Sequence, residues 1–285
     1  MRHLTVVPLC ICGALALSGC GGKSDAEVER AVQDVIASDQ SSLNDIMLSV
    51  ADPNEAVTYF KSELAKHPDD LDMQRGLAKS LIRGRKNTEA ASAWEKVVDN
   101  KASTDEDKVN YADALIRAGE WDKAETVLDS IPPTMESYRR YRLEAMIADS
   151  NKEWDNADSF YETAVGLTTN PSSVLNNWGY SKLTRGDYKE AERLFTEAIS
   201  YDDSLFTAKN NLVLARGAQR NYQMPVIDTT QVERAQLLYT LALSAIKQGD
   251  LAIGKGLLQD AIDTHPQYFE AAVRSLRALE SKVTN

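Results

Sequence analysis

The sequence predicts an all-α protein: a right-handed α-solenoid of stacked helix-turn-helix repeats, closed at its C-terminal end by a capping helix. Three observations predict it. Small residues recur at Ala56, Ala90, Ala124, Ala157 and Ala191, at intervals of 33 or 34 residues. Four residues after each stands a bulky side chain: Phe60, Trp94, Leu128, Tyr161 and Phe195. A second small position runs in phase at Ala78, Ala112, Ala145 and Gly179, with turn glycines following at Gly119 and Gly186 and again at Gly249. A fixed period of this length marks a repeat array, in which each unit buries its apolar face only against its neighbours. Two antiparallel helices that cross closely need Gly or Ala at the contact. The large residue one helical turn on then fills the gap toward the next unit.

Residues 1–19 read as an export signal. Met1-Arg2-His3 supplies a basic start, and Leu4 to Leu17 is an apolar run broken only by Thr5, Pro8 and Gly13. At about fourteen residues it is too short to span a bilayer comfortably and fits the apolar core of a signal peptide. It leads into Leu17-Ser18-Gly19-Cys20, which resembles the bacterial lipobox. The resemblance implies cleavage before Cys20 and lipid on its thiol; two or more acyl chains anchor a protein stably. Gly21, where an Asp commonly retains such proteins at the inner membrane, implies an outer-membrane anchor on the periplasmic face. Residues 20–23 form the tether. Ser24-Asp25-Ala26-Glu27 has the spacing of a capping box, and Val28, Ala31, Val32, Val35 and Ile36 continue at helical spacing. The free tether is then Gly21 to Lys23, reaching roughly 10 Å, so the folded body sits close to the membrane.

The repeat array occupies residues 24–217, with units starting near 37, 71, 105, 138, 172 and 206. Residues 218–230 break the pattern: helical spacing is lost, and Pro225 excludes a regular second helix. This stretch reads either as a permissive joining loop or as an apolar strip. The strip would offer Tyr222, Met224, Val226 and Ile227 to a partner or to the protein's own groove. Thr230-x-x-Glu233 restarts a helix with another capping box. Residues 231–285 hold the last repeat, 235–268, and an amphipathic capping helix from Phe269 to Leu279. Gly254 stands where that repeat should have its Ala, which weakens the helix by about 1 kcal/mol.

The chemistry carried by these residues is sparse. Lys+Arg number 32 against 43 Asp+Glu, and the net charge of −11 argues against nucleic acid, whose phosphates need a basic surface. The three Cys are Cys10, Cys12 and Cys20, so the body holds no disulfide framework, and His and Cys never cluster as zinc ligands. The run Gly249 to Gly256 lies one residue from a phosphate-binding loop, but it lacks the final hydroxyl and sits at a helix-to-helix turn. His67 and His265 each precede a closing proline, the same repeat position twice, which favours a turn role. The four tryptophans, Trp94, Trp121, Trp154 and Trp178, all occupy repeat-packing positions and are expected in the core. No nucleophile–base pair or metal-ligand spacing is present, so the sequence is read as a non-enzyme with no catalytic residue, metal, cofactor or small-molecule substrate.

What remains is a binding surface. Stacked helical pairs curve, and the first helix of each unit lines the concave side. The fifth and ninth positions of these helices are expected to face that groove: Arg75 and Lys79, Val109 and Asp113, Arg142 and Met146, Asn176 and Tyr180, Asn210 and Leu214. Arg75, Lys79 and Arg142 put positive charge toward the N-terminal half. Asn176 and Asn210, one repeat apart, are suited to hydrogen-bond a peptide backbone.

The best-preserved unit, Leu175-Asn176-Asn177-Trp178-Gly179-Tyr180 followed by Gly186-Asp187-Tyr188, Ala191, Phe195 and Ala198, resembles the tetratricopeptide consensus W-x2-L-G-x2-Y…A-x3-F. The closing proline of that consensus stands only at Pro68 and Pro266, and Glu63 replaces a small residue in the first unit. With the lipobox, the runs Lys209–Asn221 and Thr264–Ala271 are similar to the TadD-like tetratricopeptide lipoproteins of the tight-adherence (Flp) pilus assembly system. That resemblance implies a pilotin-like factor whose partners are the outer-membrane secretin or other pilus-assembly components, with no catalytic residues to carry over. An adaptor for cell-wall enzymes would have the same fold and anchor; neighbouring pilus or secretion genes would separate the two.

Overall fold

The computed structural model describes residues 41–283. The export signal, Cys20, the tether and the capping box at Ser24 lie outside the described residues. Within them the chain forms fourteen helices and no strand, and no helix is long and apolar enough to cross a membrane.

Residues 41–49 form α1. It is followed by α2 (Pro53–Lys66), α3 (Leu71–Arg83), α4 (Asn87–Val98), α5 (Asp105–Ala118), α6 (Trp121–Asp129) and α7 (Tyr138–Ser150). The chain continues through α8 (Trp154–Gly166), α9 (Ser172–Thr184), α10 (Tyr188–Tyr201), α11 (Phe206–Ala218), α12 (Gln231–Lys247), α13 (Leu251–Thr264) and α14 (Glu270–Val283). Helices pair as α1/α2 through α9/α10 and α12/α13, and consecutive pairs stack into an α-solenoid. In the sixth unit α11 has no second helix, and α14 covers the last pair through Ala272 and Leu279, with Arg274 and Arg277 exposed.

Local chemistry sets the helix starts. Asp52, Asp70 and Ser137 accept backbone N–H groups at the starts of α2, α3 and α7. Thr104 with Asp107, and Thr230 with Glu233, form complete capping boxes for α5 and α12. The turns that follow the first helix of each unit share one geometry. A left-handed residue, Arg85, Gly119, Lys152, Gly186, Arg220 or Gly249, follows the first helix. The next N–H then bonds the carbonyl five residues back: Lys86 to Leu81, Glu120 to Leu115, Glu153 to Ala148, Asp187 to Lys182, Asn221 to Arg216 and Asp250 to Ala245, all at 2.8–2.9 Å. These are Schellman stops, which satisfy carbonyls that the helix end would leave orphaned.

The repeat positions read from the sequence are the core. Ala56, Ala90, Ala124, Ala157 and Ala191 are fully buried, and Phe60, Trp94, Leu128, Tyr161 and Phe195 are at most 2% exposed. Close crossings are visible at two glycines: a Cβ on Gly76 would meet the Phe60 ring at 2.3 Å, and one on Gly179 would meet Phe195 at 2.7 Å. The plugging residue therefore works in two directions. Phe60 reaches forward to the next unit, while Phe195 presses on the first helix of its own.

The irregular loop folds back on the protein. Tyr222 donates its hydroxyl to Asp250 (2.6 Å), and Arg220 pairs with the same carboxylate at 2.9 Å. Met224 and Ile227 pack over Val213, Leu237 and Leu241, covering the surface that a second helix covers elsewhere. Of the four residues in the apolar strip, only Val226 is fully exposed.

Candidate partner-binding groove

The first helices lie side by side, and their facing side chains are laced together one repeat at a time. Arg75 of α3 grips Asp107 of α5 with two bonds, Nε to Oδ1 at 2.8 Å and Nη2 to Oδ2 at 2.7 Å. Arg139 of α7 reaches Glu106 and Asn110 of α5. Arg142 pairs with Asp113 at 3.7 Å, while Asp113 also accepts from Arg117 at 2.7 Å. Farther along, neutral donors take over, apart from Lys209 of α11 on Glu233 of α12 at 3.5 Å. Asn177 donates to the Met146 sulfur (3.3 Å), Ser181 to Asp149 (2.5 Å), Asn211 to Asn176 (3.1 Å), and Thr240 to Asn210 (2.8 Å).

This lacing decides what each expected groove residue can offer. Val109 is completely buried in the N-terminal core, so the fifth position of that unit is not on the groove. Arg75 is engaged with Asp107, itself 3% exposed and N3 residue of the α5 capping box. Burial alone would lift the Asp107 carboxyl, but the Arg75 guanidinium and Thr104 outweigh it and hold it below the usual carboxylate range. Arg142 is mostly buried, its Nε has no hydrogen-bond partner, and burial holds its guanidinium below its ordinary pKa. Lys79 is exposed and enters no ion pair among the described residues. Asn210 has its side-chain oxygen committed to Thr240, and Leu214 is partly buried.

Met146, Asn176 and Tyr180 are brought together. They line an open cavity of about 470 Å³ at the centre of the array, together with other residues of α7, α9 and α11 and with Trp121 and Trp154. Tyr180 is 54% exposed. At its floor lies Asp149, whose two oxygens accept from Ser181 Oγ and from Tyr161 OH (2.9 Å). Burial pushes this carboxyl above its ordinary value, and the two hydroxyls only partly offset it.

Residues 48–106 and residues 236–268 each match a tetratricopeptide repeat family. Similar solved structures share the architecture. A tetratricopeptide repeat protein from Parabacteroides merdae is 13% identical with a TM-score of 0.56, over 84% of this chain and 96% of that one. The tetratricopeptide match by sequence is thus confined to those two stretches, and over the rest of the described residues the likeness is one of fold. A chain of the APC/C hetero-tetramer Cut9–Hcn1 is 13% identical with a TM-score of 0.60, over 83% of this protein; the latter spans about half of that chain, 48%. The human IFIT1 dimer with PPP-AAAA is 14% identical with a TM-score of 0.57, over 82% of this chain and 62% of that one. At these identities the likeness concerns the fold. No curated protein sequence matches significantly.

Within the tetratricopeptide frame, the other motifs fall into place. Gly249 is the left-handed stop of α12 and Asp250 the N-terminal flank of α13, while Gly254 and Gly256 lie inside that helix, so the near-match to a phosphate loop forms no amide cradle. His265 Nδ1 accepts from Gln267 N–H at 3.1 Å, as a turn role requires. Trp94 is core. Trp178 donates to Asp158 at 2.7 Å. Trp154 departs from the core expectation: it is 36% exposed and opens on the cavity, with the Arg185 guanidinium 5.2 Å from its ring centre. Asp149 was not legible as a groove residue by position alone. It stands three residues after Met146, a spacing that places both on one helix face, and that was the available signal.

Proposed function

We propose that the protein is a lipid-anchored scaffold on the periplasmic face of the outer membrane, which grips a protein partner in a tight-adherence (Flp) pilus and secretion machine, in the manner of a pilotin. The observation that supports gripping is the open central cavity, where Met146, Asn176 and Tyr180 converge with two indoles on otherwise laced helices. The anchor rests on Leu17-Ser18-Gly19-Cys20, and the pilus role on the likeness of the Lys209–Asn221 and Thr264–Ala271 runs. In this role the array works by preorganisation: interlocked helices hold the cavity open, so a partner segment orders only itself on binding.

Two variants test the two halves separately. Cys20→Ser is expected to leave the helical circular-dichroism spectrum unchanged, to move the protein out of the membrane fraction, and to reduce secretin multimers and surface pili. Normal piliation in that strain would remove the anchoring role. The triple change Met146→Ala, Asn176→Ala and Tyr180→Ala is expected to abolish co-purification of pilus components while leaving membrane anchoring intact. Unchanged co-purification would remove the groove from the function.

A further inference from the structure

We propose that the central cavity receives a cationic side chain, an arginine or lysine of the partner's docking segment, held between its aromatic walls and the Asp149 carboxylate. This rests on the groove being the gripping surface and specifies what it grips. Asp149 is a partly buried charge whose hydrogen-bond donors, among the described residues, are two neutral hydroxyls, Ser181 Oγ and Tyr161 OH. It enters no ion pair among the described residues, although cations stand nearby. Arg185 is clamped on Asp158 at 2.6 and 3.2 Å, Lys182 binds the same carboxylate at 2.8 Å, and Arg142 pairs with Asp113.

A partly buried carboxylate that no cation pairs gains when a ligand supplies one. The surrounding walls suit that ligand. Trp121, Trp154 and Tyr180 present π systems that attract a guanidinium or ammonium group, and Met146 adds an apolar bed for its methylene stem. Trp154 already carries the Arg185 guanidinium at 5.2 Å, so an incoming cation shares this ring with Arg185 or displaces it. An acidic side chain would meet Asp149 as a like charge. An apolar one would strip the carboxylate of its remaining water and return nothing to it. The net charge of −11 steers cationic segments toward the protein at long range.

The test uses the full-length protein and four capped pentapeptides, Gly-Ser-X-Ser-Gly with X as Arg, Lys, Leu or Glu, titrated while indole fluorescence is followed. The Arg and Lys peptides are expected to bind at least tenfold tighter than the Leu and Glu peptides. Asp149→Asn, close to isosteric, is expected to erase that preference, and Trp154→Ala, a change at an exposed ring, to weaken the cationic peptides alone. Tighter binding of the Leu peptide, or a cationic preference that survives Asp149→Asn, overturns the proposal while leaving the groove as a binding surface. No response to any of the four, with pilus components also failing to co-purify with the intact protein, overturns both.

Discussion

Two glycines on one helix give opposite predictions for the same substitution. Gly254 and Gly256 both lie inside α13, and helix propensity alone awards either Gly→Ala change about 1 kcal/mol. Gly256 is exposed, and a Cβ there meets nothing within 4 Å, so Gly256→Ala should realise that gain in full. Gly254 is buried against α12. Its Cβ would stand 2.5 Å from Ile246 Cγ1 and 3.2 Å from the Ala242 carbonyl oxygen. Neither neighbour can yield cheaply: the carbonyl is helix backbone, and a β-branched side chain in a helix is held to one χ1 rotamer. Overpacking costs about 1–3 kcal/mol, and two rigid contacts place this site in the upper half of that range. After the propensity gain, Gly254→Ala should lose about 1–2 kcal/mol, leaving a gap of about 2–3 kcal/mol between the two variants. Thermal unfolding followed at 222 nm, together with amide exchange in α12 and α13, reads the difference. A Gly254→Ala protein as stable as wild type, or more so, would refute the close-packing argument for the small positions.

Other consequences are as direct. Lys152 holds a left-handed backbone at φ 62, so Lys152→Gly should raise stability by up to about 1 kcal/mol, whereas Gly186→Ala at φ 84 should cost about 1–2 kcal/mol with no clash to blame; melting curves of the two variants should shift in opposite directions. Burial would lift the Asp158 carboxyl, but Arg185, Lys182 and Trp178 outweigh it and hold it at about 2, against an ordinary 3.8. A depressed carboxylate stabilises the fold above the unfolded value and loses that contribution as pH falls through the folded one. Asp158→Asn should therefore be less stable at pH 7 and show a flatter stability profile between pH 3.8 and about 2, measured by denaturant titration. Asp149 is shifted the other way, because burial favours its neutral form. Asp149→Asn should be as stable as wild type at pH 7 or more stable, and a loss as large as that of Asp158→Asn would contradict the assignment of an uncompensated charge.

The period, the small contacts, their bulky partners and the capping box at Glu233 were legible because each is a local demand that a residue type answers visibly; the box that Thr104 and Asp107 form at the start of α5 was not read. The turns were half legible. Gly119, Gly186 and Gly249 announce a left-handed stop, but Arg85, Lys152 and Arg220 adopt the same backbone with no glycine to mark it. Their register, one period from the glycines, was the only sign. The groove was less legible, for a geometric reason. Which side chain reaches the next helix depends on rotation by a single residue: Asn211, not Asn210, bonds Asn176. Counting fifth and ninth positions captures the face but not the lacing, and so it presented Arg75 as an available cation. The complementary charges spaced 32 residues apart, Arg75 and Asp107, carried that information in the sequence.

The lacing also bears on where a partner can gain most. At the N-terminal end most groove charges, Lys79 excepted, are mutually satisfied: the Arg75–Asp107 pair is two-pronged and nearly dry at the carboxylate, and a ligand that engaged either member would first have to break it. Surface pairs such as Lys61–Glu89, at 3.8 Å and more than half exposed, offer a ligand little in exchange. The central units differ in kind. Their first-helix bonds come mostly from neutral donors, they leave Tyr180 and Trp154 partly bare, and they end on the Asp149 carboxylate, which no cation pairs among the described residues. Affinity in a protein interface concentrates in a few well-packed, desolvated pockets lined by aromatic and arginine side chains. On the proposed function, the first three units are then expected to act chiefly as a stiff arm, with selection among partners falling between α7 and α11.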